Sequence, residues 1–312
     1  MNEKHGIGQE RYMAIRWQGV FPAVTTKLKP DFSLDTGAIH AGVERLIDNG
    51  VSGVVMMGMV GENAQLSPEE KLTVLRTARE AVAGRVPIIS GLAETSTAKA
   101  VEYAREAERI GVDGLMVFPG LTYRSDDRET IAFYRAVADA SGLDILLYNN
   151  PRGYGVDLTP DVVAQLLEAP TIVAIKEESY DTTRVTDLIS RFGDRLDVVC
   201  GVDDLVLESA ALGVRAWVSG MANALPRESV ELLSLAIAGD FEKARRLYTV
   251  LTPLYHLDTV VKLVQHIKLA ERIITGSAET VKPPRLDLEG AERDRTIAIV
   301  EKTLADLKAL GY

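Results

Sequence analysis

The residue best placed for covalent chemistry is Lys176, which closes the apolar run Thr171-Ile172-Val173-Ala174-Ile175. Such a run draws the side-chain stem indoors. Loss of water disfavours the ammonium, so the expectation is a lowered pKa and a nucleophilic amine. Taken alone, a solvent-facing lysine is an equally good reading, because lysines are mostly exposed. Tyr148 closes a second run, Ile145-Leu146-Leu147, ahead of the turn signal Asn149-Asn150-Pro151. A phenol there can carry protons between an amine, a carbinolamine hydroxyl and a substrate; alone, it reads more readily as an amphipathic rim tyrosine. Gly58-Met59-Val60-Gly61-Glu62 can aim successive backbone N–H groups at a carboxylate, or serve as an ordinary turn from strand to helix. Asp203-Asp204 precedes a helical stretch, and capping or a first-turn role outweighs metal binding for that pair. His256 and His266 fall in carboxyl-terminal helices and read as packing or interface residues, and none of the four histidines has metal-ligand spacing. No metal site is expected.

These residues need a scaffold that gathers strand ends. The chain repeats a short β-branched run, a Gly-rich or polar turn and an amphipathic segment of helical period, which is the βα unit of a parallel sheet. Candidate strands lie at 19–24, 53–57, 86–90, 114–118, 144–148, 172–175, 196–200 and 215–219. Eight such units close a (β/α)8 TIM barrel, whose reactive groups sit at the carboxyl ends of the strands. A doubly wound open sheet has the same periodicity, but no G-x-G-x-x-G follows an early strand. Ser67-Pro68-Glu69-Glu70 carries a capping box with proline at the first helical position, and Thr159-Pro160 marks another helix start. After the eighth strand the pattern turns wholly helical, with segments near 240–250, 258–275 and 291–310. The expectation is one domain over 1–312, with a barrel at 17–238 and a helical extension at 239–312.

Composition narrows the function. The 312 residues are 46% hydrophobic, enough for one large core, and the formal charge of −10 comes without any basic cluster, which argues against nucleic acid. The single cysteine, Cys200, forbids an internal disulfide and suits a reducing compartment. Residues 1–18 are polar and charged, and no run of about 18 apolar residues occurs, so a cytoplasmic protein with no membrane contact is expected.

In order and spacing, G-x-x-G-E, Y-N-x-P and the later lysine resemble the N-acetylneuraminate lyase and dihydrodipicolinate synthase family of Schiff-base barrels. Tyr148 and Lys176 stand 28 positions apart, as that family usually has them. The resemblance covers Gly19 to about Ala305. It implies that Lys176 forms the imine, that Tyr148 relays protons and that the amides of Met59, Val60 and Gly61 hold the substrate carboxylate. Asn150, Gly201 and Ser219 complete the implied substrate site, no cofactor is implied, and a homotetramer is usual.

The departures are informative. Synthases usually carry two threonines where Met59 and Val60 stand, a tyrosine where Leu121 stands and an arginine where Gly153 stands. A hydroxylated sugar acid would also find few partners on an apolar wall, and a buried hydroxyl left unpaired costs about 1–3 kcal/mol. The strings around Asn150, Tyr154, Gly201 and His256-Leu257-Asp258 resemble the branch of Δ1-pyrroline-4-hydroxy-2-carboxylate deaminases. That likeness implies attack of Lys176 on C2, loss of the C4 hydroxyl as water, and release of ammonia and 2-oxoglutarate semialdehyde. Alternatives are a 2-keto-3-deoxy sugar-acid dehydratase or aldolase, with Tyr123 and Tyr154 among the hydroxyl partners, a pyruvate aldolase of the synthase type, and a ligand-sensing barrel without turnover.

Overall fold

A computed structural model describes residues 15–312. Most of the amino-terminal stretch considered above, and His5, lie outside the described residues. Eight strands form one sheet: β1 Gly19–Pro22, β2 Val54–Met56, β3 Ile88–Leu92, β4 Gly114–Val117, β5 Asp144–Asn149, β6 Ile172–Glu177, β7 Asp197–Cys200 and β8 Ala216–Ser219. Every pairing is parallel, in the order β1-β8-β7-β6-β5-β4-β3-β2. A parallel bridge between Ala23 and Val55 links β1 to β2 and closes the ring. This is the (β/α)8 barrel, and closure rules out the open doubly wound sheet.

The strands read as near-continuous apolar runs because both faces are covered, one by the barrel interior and the other by helices. Val54, Val55, Ile88, Ile89, Ile145, Leu146, Leu147 and Ile175 are all wholly buried. The helix Pro68–Val82 starts as the sequence predicts: Ser67 Oγ accepts from the Glu70 N–H at 3.2 Å, and the Glu70 carboxylate accepts from the Ser67 N–H at 2.8 Å. Thr159 likewise caps the helix Pro160–Leu166.

Three helices follow the barrel, Phe241–Tyr255, Leu263–Thr275 and Gly290–Leu310. The second begins later than its apolar pattern suggests. Residues 256–258 form a separate tight turn, which leaves Asp258 off the helix and free to face the strand ends. The helix Leu263–Thr275 is joined to the barrel by buried ion pairs. Lys268 Nζ donates to Glu62 Oε1 at 2.5 Å and to the Thr280 carbonyl at 2.7 Å, and Lys27 Nζ lies 2.5 Å from Glu271 Oε2. Among the described residues, no helix is long and apolar enough to cross a membrane.

Candidate active site

Lys176 stands inside β6, not beyond its end, and its register partner on β5 is Tyr148. Parallel pairing therefore sets the amine and the phenol side by side, with Lys176 Nζ 4.2 Å from the centre of the Tyr148 ring. Edge-to-face contacts of Phe118 with Tyr148 at 4.7 Å, and of Tyr148 with Tyr154 at 5.6 Å, fix that ring. Gly201, at the end of β7, has a steric reason. A Cβ there would sit 2.9 Å from Cγ and Cε of Lys176, so glycine leaves the channel through which the lysine stem passes.

Glu178 organises the group. One carboxylate oxygen, Oε2, accepts from Lys176 Nζ at 2.6 Å and from the Tyr148 hydroxyl at 2.8 Å. The other accepts from Asn150 Nδ2 at 2.9 Å, and the same amide reaches the Tyr148 hydroxyl at 3.2 Å. This pairing reverses the expected protonation of the lysine. Burial does pull its pKa down, but the Glu178 carboxylate overrides it and the net shift is upward. Lys176 is thus held as an ammonium beside a carboxylate that can accept its proton. The Tyr148 phenol is pushed well up by burial and then by the Glu178 charge, so it stays protonated and acts as a donor.

Lys176, Tyr148 and Glu178 open onto a narrow cavity whose walls include Met59, Val60, Met116 and Leu263. Asp258 reaches the same cavity from the turn after the helix Phe241–Tyr255. Val60 and Gly61 are buried, and among the described residues neither backbone N–H donates to a protein acceptor. Buried amides are almost always paired, and of these two residues Val60 lines the cavity. The Gly61 carbonyl is engaged by Thr26 Oγ1 at 2.6 Å, which holds the loop in place.

The other predicted residues fall at graded distances. Asn150 stands behind Tyr148 as the brace just described. Ser219 is wholly buried outside the cavity wall, and its hydroxyl donates to Asp203 Oδ2 at 3.0 Å and accepts from the Ala222 N–H at 3.0 Å. Tyr123 is 61% exposed, and Leu121 and Gly153 stay outside the wall. His256 is an exposed partner of Asp204 at 2.7 Å, and His266 is buried against Thr296.

Asp203 and Asp204 stand in the first turn of the short helix Asp203–Leu205, as the first-turn reading expects, but the Asp203 side chain does not cap that helix. It crosses to β8, accepting from Trp217 Nε1 at 2.9 Å, from Ser219 and from the Met221 N–H at 2.9 Å. Glu178 and Asp258 were given no role in the sequence. Glu178 had a signal, because residues two apart share one face of a strand and it follows Lys176 at that interval. Asp258 had none, since only the fold of the extension brings it to the barrel mouth.

Residues 16–303 match the family described as the dihydrodipicolinate synthetase family. This chain belongs to that family. A 4-hydroxy-tetrahydrodipicolinate synthase of Methanothrix thermoacetophila is 36% identical over 269 residues, 86% of this chain and 90% of its own. The solved 4-hydroxy-tetrahydrodipicolinate synthase of Methylacidiphilum fumariolicum SolV superposes with a TM-score of 0.91 at 29% identity, covering 95% of this chain and 99% of that one. YagE of E. coli K12, a family member solved in complex with pyruvate, superposes with a TM-score of 0.86 at 28% identity, over 92% of this chain and 99% of its own. Dihydrodipicolinate synthetase family members are class I Schiff-base aldolases, so this chain is a lyase of the aldolase type.

Proposed function

We propose that Lys176 forms an imine with C2 of a short 2-oxo acid of the pyruvate class, and that the enzyme makes or breaks a carbon–carbon bond at C3 through the derived enamine. The observation that carries this reading is the shared carboxylate, with Glu178 Oε2 2.6 Å from Lys176 Nζ and 2.8 Å from the Tyr148 hydroxyl. Glu178 takes a proton from the ammonium, and the free amine attacks C2. Tyr148 protonates the developing C2 alkoxide and is reprotonated by Glu178, so the lysine proton ends on the carbinolamine hydroxyl. The open amides of Val60 and Gly61 suit the substrate carboxylate. Glu178 then takes the second proton from the adduct nitrogen, and loss of the hydroxyl as water gives the imine, which acidifies C3.

A second reading has its own support. The cavity wall contains no serine, threonine or arginine among the described residues, so no guanidinium there matches a second carboxylate. Δ1-Pyrroline-4-hydroxy-2-carboxylate has one carboxylate and one hydroxyl, and its deamination uses the same imine and the same acidic C3. Borohydride trapping on Lys176 with pyruvate, set beside ammonia release from the pyrroline, separates the two. Lys176→Ala should abolish both signals, about 10⁴-fold or more, while keeping a wild-type melting profile. Activity that survives that substitution would end both readings.

We infer also that the chain assembles as a homotetramer. Val261 is fully exposed beside Val260 on the connection that carries Asp258, and burial against another copy would steady that segment. Sedimentation velocity measures it; a monomer at working concentration would refute it.

A further inference from the structure

We propose that Asp258 is a second catalytic group of this site, the acid that gives a proton to the departing C2 hydroxyl and later takes one back from C3, with Asp203 as its positioning residue. The inference rests on the imine chemistry of the preceding section and adds the proton donor which that sequence leaves open.

Asp258 shares the cavity wall with Lys176, Glu178 and Tyr148, whereas Asp203 lies behind that wall and is wholly buried. The Asp203 charge acts on Asp258 from behind that wall. Two carboxylates that share a site out of water do not both ionise, so one of them keeps a proton. Asp203 already accepts from Trp217 Nε1, Ser219 Oγ and the Met221 N–H. Three donors stabilise its negative charge, which leaves the proton to Asp258. Gly220 supports the placement, because a Cβ there would strike the Asp258 carboxyl and Ile267.

The ionisation balance agrees with the geometry. Burial raises Asp258 well above the usual carboxylate range, the Asp203 and Glu178 charges raise it further, and the Lys176 ammonium opposes them. Tyr148 and Tyr180 also feel its charge, and on its own turn His256 is engaged with Asp204.

The proton count closes with one lysine proton held on Glu178. Glu178 takes the second proton from the carbinolamine nitrogen, the C2–O bond breaks as the freed lone pair forms the C=N bond, and the hydroxyl leaves as water with the Asp258 proton. The Asp258 carboxylate then accepts the proton lost from C3 as the enamine forms, which returns the aspartate pair to its starting state. Glu178 handles the lysine proton and Asp258 handles the carbon and its leaving oxygen, from opposite parts of the chain.

The test is a timed borohydride quench of the full chain with pyruvate and, in parallel, with Δ1-pyrroline-4-hydroxy-2-carboxylate, reading the mass increment on Lys176 across pH. With pyruvate, Asp258→Asn should slow imine formation about 100-fold and remove the fall in rate on the alkaline side, where an acid loses its proton. Asp258→Glu should recover part of the rate and restore that limb, which a merely structural role would not do. Trapping by Asp258→Asn at the wild-type rate with an unchanged pH profile overturns this inference alone. A wild-type protein that traps neither compound overturns the reading of the preceding section and this inference with it.

Discussion

Two of the buried lysine–glutamate pairs of this barrel do opposite jobs. Lys176 and Glu178 are 2.6 Å apart, and Lys268 and Glu62 are 2.5 Å apart. Separation does not distinguish them; the remaining valences do. Lys268 Nζ also donates to the Thr280 carbonyl, Glu62 also accepts from the Lys282 N–H at 2.7 Å, and both side chains are 0% exposed. Among the described residues, Lys176 Nζ has a single hydrogen-bond partner, and it faces a cavity. A pair whose two members are each held by further partners ties the extension to the G-x-x-G-E loop. A pair that keeps free donors beside empty space is prepared for a ligand. A buried ion pair by itself is therefore weak grounds for either role.

The sharpest way to break this contrast is to remove the base and keep its shape. Glu178→Gln retains an acceptor for Tyr148 and loses the carboxylate that takes the lysine proton. kcat/KM should fall about 10²–10⁴-fold, and borohydride trapping should slow in parallel. A variant as fast as wild type would mean that Glu178 only orders the site. Lys268→Met is the reciprocal change. It leaves the buried Glu62 charge without its main partner, so a loss of about 3–5 kcal/mol is expected in urea unfolding. Activity per folded molecule should stay near wild type, and adding Glu62→Gln should return much of the stability. Lost turnover without lost stability would move this pair from scaffold to catalysis.

How much of this was legible follows the range of each interaction. The eight strands were visible because each buries both faces locally, and the caps at Ser67 and Thr159 were visible because their partners lie three residues away. Lys176 and Tyr148 stood out as polar residues ending apolar runs. What failed was partnership. The sequence shows that Lys176 is buried but not that Glu178 folds back onto it, so the direction of its pKa shift came out reversed. Asp203 looked like a cap because its true partners, Trp217 and Ser219, lie on the next strand. In the sequence Asp258 reads as the start of a helix, since nothing in 258–275 marks the break before Leu263.

The smallest expected effect tests the electrostatics of the contrast directly. In the folded chain Lys176 has a pKa above the ordinary 10.5, because Glu178 outweighs the downward pull of burial. Its stabilising contribution is complete below the unfolded pKa and fades as pH rises through the folded value. For Lys268 burial wins and the pKa lies below 10.5. Between that folded value and 10.5, the unfolded chain binds a proton that the folded chain has lost, so stability rises with pH in that window. Lys176→Met and Lys268→Met should therefore change the alkaline stability profile with opposite slopes, measured as urea midpoints from about pH 8.5 to about pH 11.5 relative to wild type. Slopes of the same sign would show that the two pairs share one electrostatic character, leaving only the cavity beside Lys176 to separate a catalytic lysine from a structural one.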